Sequence, residues 1–241
     1  MSFLDKEHMV EMAITSEQEA FAVILIDGTL SVFENADRLF YEAGVLADVK
    51  AFSRGYLLHQ ISLEECGKIE MLCAAVCSCL VGNRVNIKSL SKAFRRHEGK
   101  NKMNAYFLPR SEAEKVAEEN NDVAAAVGAF KVVQEEFHQE SNRLKNSSLY
   151  VDFDEVFTSP QDVISKDDYE KIRAQNADFM ALTNHKVQTL SRWKSDLASA
   201  AGEIQEVYAL VTEDRPEEKS LTEAREALWE RIKTTVTRRN G

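Results

Sequence analysis

A chain of 241 residues, 44% of them hydrophobic, is long enough to bury a substantial core, and 30 basic against 40 acidic residues give it a net charge of −10. No apolar run approaches the roughly twenty residues that a membrane helix needs, and acidic residues precede the most hydrophobic short run, Phe21 to Ile26, where a secretory leader would be basic. Only nine glycines and three prolines interrupt the chain, and its apolar residues recur at helical spacing, so an all-α protein is expected. Cys66, Cys73, Cys77 and Cys79 fall within fourteen residues of one predicted helix, where disulfides between near neighbours are geometrically poor. Together these features place the chain in a reducing cytoplasm, with the cysteines as small core residues and no metal site.

In chain order, Thr15 and Ser16 before Glu17, Gln18 and Glu19 offer a capping box, so a helix is predicted to begin near Ser16. It carries Phe21, Ile24, Leu30, Phe33, Leu39 and Ala43 on one face toward a stop at Gly44. A second long helix runs from about Asp48 to Leu80 and closes at Gly82-Asn83. Along it Leu58, Ile61, Glu65, Lys68, Leu72, Ala75 and Cys79 trace one face, which puts Glu65 and Lys68 where the interior should be apolar. Either they are buried as a matched pair, or the helix is rotated and Glu64, Glu65 and Lys68 form solvated ion pairs.

Lys88 to Arg96 reads as a short basic helix and His97 to Lys102 as a loop. Ser111 followed by Glu112 and Glu114 caps a further helix, which Glu118 to Asp122 breaks. Val123, Val127, Phe130, Phe137 and Leu144 then define an amphipathic helix ending near Lys145-Asn146. Ser147 to Phe153 is extended in character and leads into an irregular segment at Pro160, the expected boundary between a bundle of residues 1–160 and a C-terminal extension of residues 161–241. That extension either packs on the bundle or projects from it. Tyr169 to Val207 keeps three-four spacing as one long helix or two nearly collinear ones; Pro216 ends it, and Leu221 to Val236 supplies a last amphipathic helix before Arg238-Arg239.

Charge is strongly segregated. Between Arg84 and Arg110 stand eight basic residues, Arg84, Lys88, Lys92, Arg95, Arg96, Lys100, Lys102 and Arg110, against Glu98 alone, a local +7 that leaves −17 elsewhere. An acidic protein repels phosphate except where cations are gathered, so this island is either a polyanion site or a basic surface, solvated or docked on the acidic remainder of the fold.

Three motifs occur in order: Glu64-Glu65-Cys66-Gly67-Lys68, Phe94-Arg95-Arg96-His97-Glu98-Gly99-Lys100 and Leu149-Tyr150-Val151-Asp152. Over about residues 16–160 this pattern resembles the AbiV family of abortive-infection proteins, bacterial phage-resistance factors within the HEPN superfamily. The resemblance implies an up-and-down helical bundle, often dimeric, and the chemistry of a metal-independent endoribonuclease without cofactor. HEPN ribonucleases pair an Arg with a His beyond four to six intervening residues: imidazole deprotonates the ribose 2′-hydroxyl and guanidinium stabilises the charged phosphorane. Here Lys145 and Tyr150 stand at those places, with Asn146 between them.

The resemblance therefore implies a site with Glu65, Lys68, His97, Lys145, Asn146 and Tyr150 in catalytic positions. Arg95, Arg96, Lys100 and Lys102 are the expected RNA-binding residues, and Glu64 and Asp152 the structural polar ones. Arg54 and His59 literally satisfy the Arg-x4-His pattern, but five helical steps turn their side chains about 140° apart. The expected partners are RNA or the translation machinery, a phage protein, and a second copy of the chain; the non-catalytic alternative captures a phage or host protein through the basic island or the C-terminal helices.

Overall fold

Thr15 opens helix α1 (Ser16–Asp48) with the predicted capping box: its hydroxyl accepts from Gln18 N–H, and the Gln18 side chain accepts from Thr15 N–H. The computed structural model describes residues 14–212 together with Glu223, Ala227, Leu228, Glu230 and Arg231. The helix does not stop at Gly44 but runs one turn further, because the left-handed position that ends it is Lys50, at φ 61°. Lys50 N–H donates to Ala47 O and Ala51 N–H to Leu46 O, a Schellman closure that usually takes glycine.

The chain then reverses into α2 (Phe52–Leu80), which lies antiparallel to α1 and occupies the centre of the molecule. Seventeen of its 29 residues are buried. It ends as the sequence predicts, at Gly82 with φ 79° and matching bonds from Gly82 and Asn83 to the last turn. Next come α3 (Ile87–Arg95), α4 (His97–Asn104), a 3-10 turn at Ala105–Phe107, α5 (Glu112–Glu119) and α6 (Val123–Ser147). Residues 97–102, expected as a loop, are thus the body of a helix. Asn121, at φ 57°, closes α5 in the predicted break.

A two-stranded hairpin, β1 (Asp152–Asp154) and β2 (Val156–Thr158), follows α6 and pairs Phe153 with Phe157 across the strands. Beyond the short α7 (Pro160–Val163), α8 (Lys166–Trp193) lies along α1 and α2, and α9 (Leu197–Thr212) follows. These last two are not collinear. Trp193 Nε1–H donates to Glu203 Oε2 at 3.1 Å, whereas a continuous helix would hold residues ten apart about 15 Å from each other. The chain turns at Lys194 to Asp196 and lays Ala200 and Ala201 against the core. The helix expected over Leu221 to Val236 lies mostly outside the described residues.

Two apolar clusters hold the bundle. Ala22, Leu25, Ile26, Leu72, Val76, Leu80, Leu190 and Trp193 fill one end, and Ala36, Tyr56, Leu63, Cys66, Ile164, Ile172, Phe179 and Met180 the other. At roughly 25 cal/mol per Å² of apolar surface removed from water, such clusters dominate the folding energy. Burial pushes the Cys66 and Cys73 thiols up to about 12, aided by Glu70, so both stay protonated and behave as core residues. Among the described residues, no helix is long and apolar enough to cross a membrane.

Candidate functional site

Glu64 projects from the middle of α2 into a layer formed by α4 and α6, and only 2% of it is exposed. Its Oε2 accepts from His97 Nδ1–H and Lys100 Nζ, both at 2.6 Å, and its Oε1 accepts from Lys145 Nζ at 3.0 Å. One carboxylate thus joins two residues of α4 to one of α6. Burial alone would push the Glu64 carboxyl up, but hydrogen bonds from Lys100, Lys145 and His97 and the Lys100 charge outweigh it and hold the carboxyl below its usual range. It is a carboxylate at neutral pH.

Glu64 was expected as a structural polar residue and Glu65 as the functional acid, yet the structure makes Glu64 the hub. Glu65 points a third of a turn away and pairs with Lys68 at 2.5 Å, one turn along the same helix. Gly67 explains the rest of the motif. A Cβ there would lie 2.6 Å from the Lys100 carbonyl oxygen, so glycine lets the α4 backbone rest directly on α2 and brings His97 and Lys100 within reach of Glu64.

The inner face of α4 is polar. His97, Lys100, Asn101 and Asn104 recur at three-four spacing, and the last three are its buried residues. Asn104 Nδ2 donates to Leu63 O at 2.6 Å, and Asn101 Nδ2 donates to His138 Nδ1 of α6 at 3.5 Å. Opposite, Gln134, His138, Ser141 and Lys145 form a matching stripe on α6, with Gln134 Nε2 donating to Lys102 O at 3.0 Å. By contrast Val123 and Val127, expected on the apolar face of α6, are about half exposed. The seam between α4 and α6 is therefore amide and charge, not hydrocarbon.

The structure leaves three of the expected site residues outside. On a helix, neighbours diverge by about 100°, so turning Lys145 inward turns Asn146 out to solvent. Tyr150 lies beyond the end of α6 and is 58% exposed, and Asp152 is exposed on β1. His97, from the segment read as a loop, is the imidazole that meets the acid. Arg54 and His59 diverge as their spacing requires: Arg54 Nη1 donates to Leu149 O at 2.9 Å at the α6 C-terminus, and His59 is buried against Phe40, Tyr169 and Asn176.

The basic island divides. Lys100 is bound to Glu64, Lys102 bridges Glu98 and Glu135 at 2.8 and 2.9 Å, and Arg110 is paired with Glu118. Arg95 and Arg96 are exposed, and among the described residues neither forms an ion pair. No group of three or more His, Cys, Asp or Glu side chains among the described residues is arranged to hold a metal ion.

Chemically the centre does two things. Two lysines against one carboxylate leave a positive surplus in a sheltered place, which attracts an anion. Because Nδ1–H of His97 is fixed on Glu64, neutral His97 carries its lone pair on Nε2, and its side chain is 55% exposed, so Nε2 can accept a proton from an arriving molecule.

The helical bundle thus holds a histidine and two lysines from neighbouring helices on one central acid. The HEPN_AbiV family model, described as AbiV, matches residues 24–181, from early α1 well into α8. The chain belongs to the AbiV family of HEPN proteins. It is also similar to the uncharacterized protein y4gJ of Sinorhizobium fredii (strain NBRC 101917 / NGR234), 38% identical over 108 residues that cover 44% of this chain and 56% of that protein. The match thus spans just over half the length of that relative. No solved structure is matched.

Proposed function

We propose that the protein acts on RNA as a metal-independent endoribonuclease, with His97 as general base and Lys100 and Lys145 as the stabilising cations. The observation that carries this reading is the Glu64 hub, which fixes the His97 tautomer and holds both ammonium groups beside the same imidazole. His97 Nε2 takes the 2′-hydroxyl proton, O2′ attacks phosphorus, and the P–O5′ bond breaks. The products are a 2′,3′-cyclic phosphate and a 5′-hydroxyl end. Each lysine ammonium has three donors and uses one on Glu64, so the others serve the developing phosphorane charge. Tyr150 takes no part.

Purified protein incubated with RNA in excess chelator should cut it, and His97→Gln should abolish cutting while leaving the fold intact, since His97 is largely exposed. RNA that stays whole in the presence of wild-type protein rejects the reading. A binding-only alternative is favoured by one observation: Val151, Phe153, Val156 and Phe157 are exposed on and beside the hairpin, between 61% and 79%. On that reading the protein captures a phage or host protein, Phe153→Ser with Phe157→Ser abolishes capture, and His97→Gln does not.

A further inference from the structure

Of the basic-island cations outside acid pairs among the described residues, Lys88, Lys92 and Arg95 lie on α3, with Arg84 before that helix and Arg96 after it. Lys88, Lys92 and Arg95 follow one another at steps of four and three on one face of that helix, and Arg96 comes next in the chain. All four are exposed, and among the described residues none is in an ion pair. They line a shallow groove of about 520 Å³ together with Ile87 and Ser91. The opposite face is anchored, with Leu90 and Phe94 packed on the apolar cluster of α1, α2 and α8. A solvated surface of a protein with net charge −10 has ample acid to intersperse among its lysines, as it does around Lys102 and Arg110. On α3 it does not.

The row also has a direction. Its C-terminal end is Arg95, Arg96 links α3 to α4, and His97 is the first residue of α4. We infer that the Lys88–Lys92–Arg95 face of α3, continued by Arg96, is a phosphate track that grips the backbone of single-stranded RNA and leads it to His97. This deepens the ribonuclease reading by naming the substrate form. From Lys88 to Arg95 the row is about 10 Å long and one helix wide, which suits a few phosphates of one strand. Recognition of duplex RNA instead spans about 16 base pairs across two minor grooves. In-line attack by a 2′-hydroxyl also needs a nucleotide free to rotate, which a base-paired one is not.

The test uses a 2′-O-methyl oligoribonucleotide, which keeps every phosphate charge but has no 2′-hydroxyl to deprotonate, so binding is measured without turnover. Fluorescence anisotropy across a salt series should give a linear fall of log affinity with log salt. Lys88→Gln with Lys92→Gln should flatten that slope by about 1.4, at roughly 0.7 per lost phosphate contact on a single strand. Lys171→Gln, which removes an exposed charge from α8, should leave the slope unchanged. A double-variant slope equal to wild type, an equal flattening by Lys171→Gln, tighter binding of duplex than of single strand, or tighter binding of polyglutamate than of RNA would each overturn the track. The two readings separate: a flattened slope in a protein that never cuts RNA keeps the track and removes the nuclease. His97-dependent cutting with an unmoved slope does the reverse.

Discussion

Replacing Glu64 by Gln keeps the shape of the hub and removes its charge, leaving Lys100 and Lys145 buried beside each other without a counter-ion. At an effective dielectric constant near 20, contacts of 2.6 and 3.0 Å correspond to gross attractions of about 6.4 and about 5.5 kcal/mol. Desolvation of the three charges offsets much of this in the intact protein, but the variant keeps the desolvation of both lysines and loses the attraction. Breaking a buried pair in this way costs about 3–5 kcal/mol. Urea titration should show that loss, and thermal melting a drop of roughly 10 °C for a chain of this length. Glu65→Gln, which strips the counter-ion from Lys68 alone, should cost less than Glu64→Gln, which strips it from two buried lysines. The pH dependence has a definite sign. Because the folded Glu64 carboxyl titrates below its ordinary value, its contribution is complete above the unfolded pKa of about 4.3 and disappears as pH falls through the folded value. The gap between wild type and Glu64→Gln should therefore close in acid. A cost below about 1 kcal/mol at neutral pH, or a gap indifferent to acid, would refute the placement of Glu64 as hub.

Gly67→Ala should cost about 1–3 kcal/mol in urea titrations, because its Cβ would strike the Lys100 carbonyl, whereas Gly44→Ala, with nothing within 4 Å, should be neutral or stabilising. Lys50→Gly should stabilise the protein by about 0.5–1 kcal/mol in the same assay, since glycine fits the left-handed closure of α1 without a Cβ clash. His59 is buried, and burial, with the Arg173 charge adding to it, lowers its pKa to about 4. Its folded pKa lies below the unfolded one, so stability is complete above about pH 6.5 and falls as pH drops toward 4, by on the order of 3 kcal/mol. His59→Phe should remove that slope from a pH series of denaturation curves, and an unchanged slope would assign it to other groups.

Helix termini were legible wherever a polar side chain or glycine does the capping: Thr15, Gly82, Ser111 and the Asn121 break all stand where their residue types place them. The end of α1 was not, because a lysine occupies the left-handed position and no residue preference announces it. The charged pair in α2 was half legible. Periodicity assigns a single apolar face, but a central helix is covered on nearly every side, so Glu64 is buried although it lies off the face traced through Leu58 and Leu72. Helix α4 escaped for a related reason. Its inward residues are His97, Lys100, Asn101 and Asn104, and a search for apolar periodicity passes over them, although their three-four spacing is itself the helical signal. The same inversion hid His138 and Ser141 on α6. Tyr150 drew attention through its place in a motif, and α6 simply ends before it.

The polar seam between α4 and α6 has a thermodynamic signature of its own. The buried side chains of α4 are a lysine and two asparagines, so lifting this helix from α2 as a flap uncovers little hydrocarbon. Denaturant and heat capacity respond to uncovered area, whereas ionic atmosphere and protons act on the charges themselves. The flap should therefore detach as a separate unit in amide hydrogen exchange, with opening hastened by salt and acid and almost insensitive to low urea, while the α1–α2–α8 core stays shut.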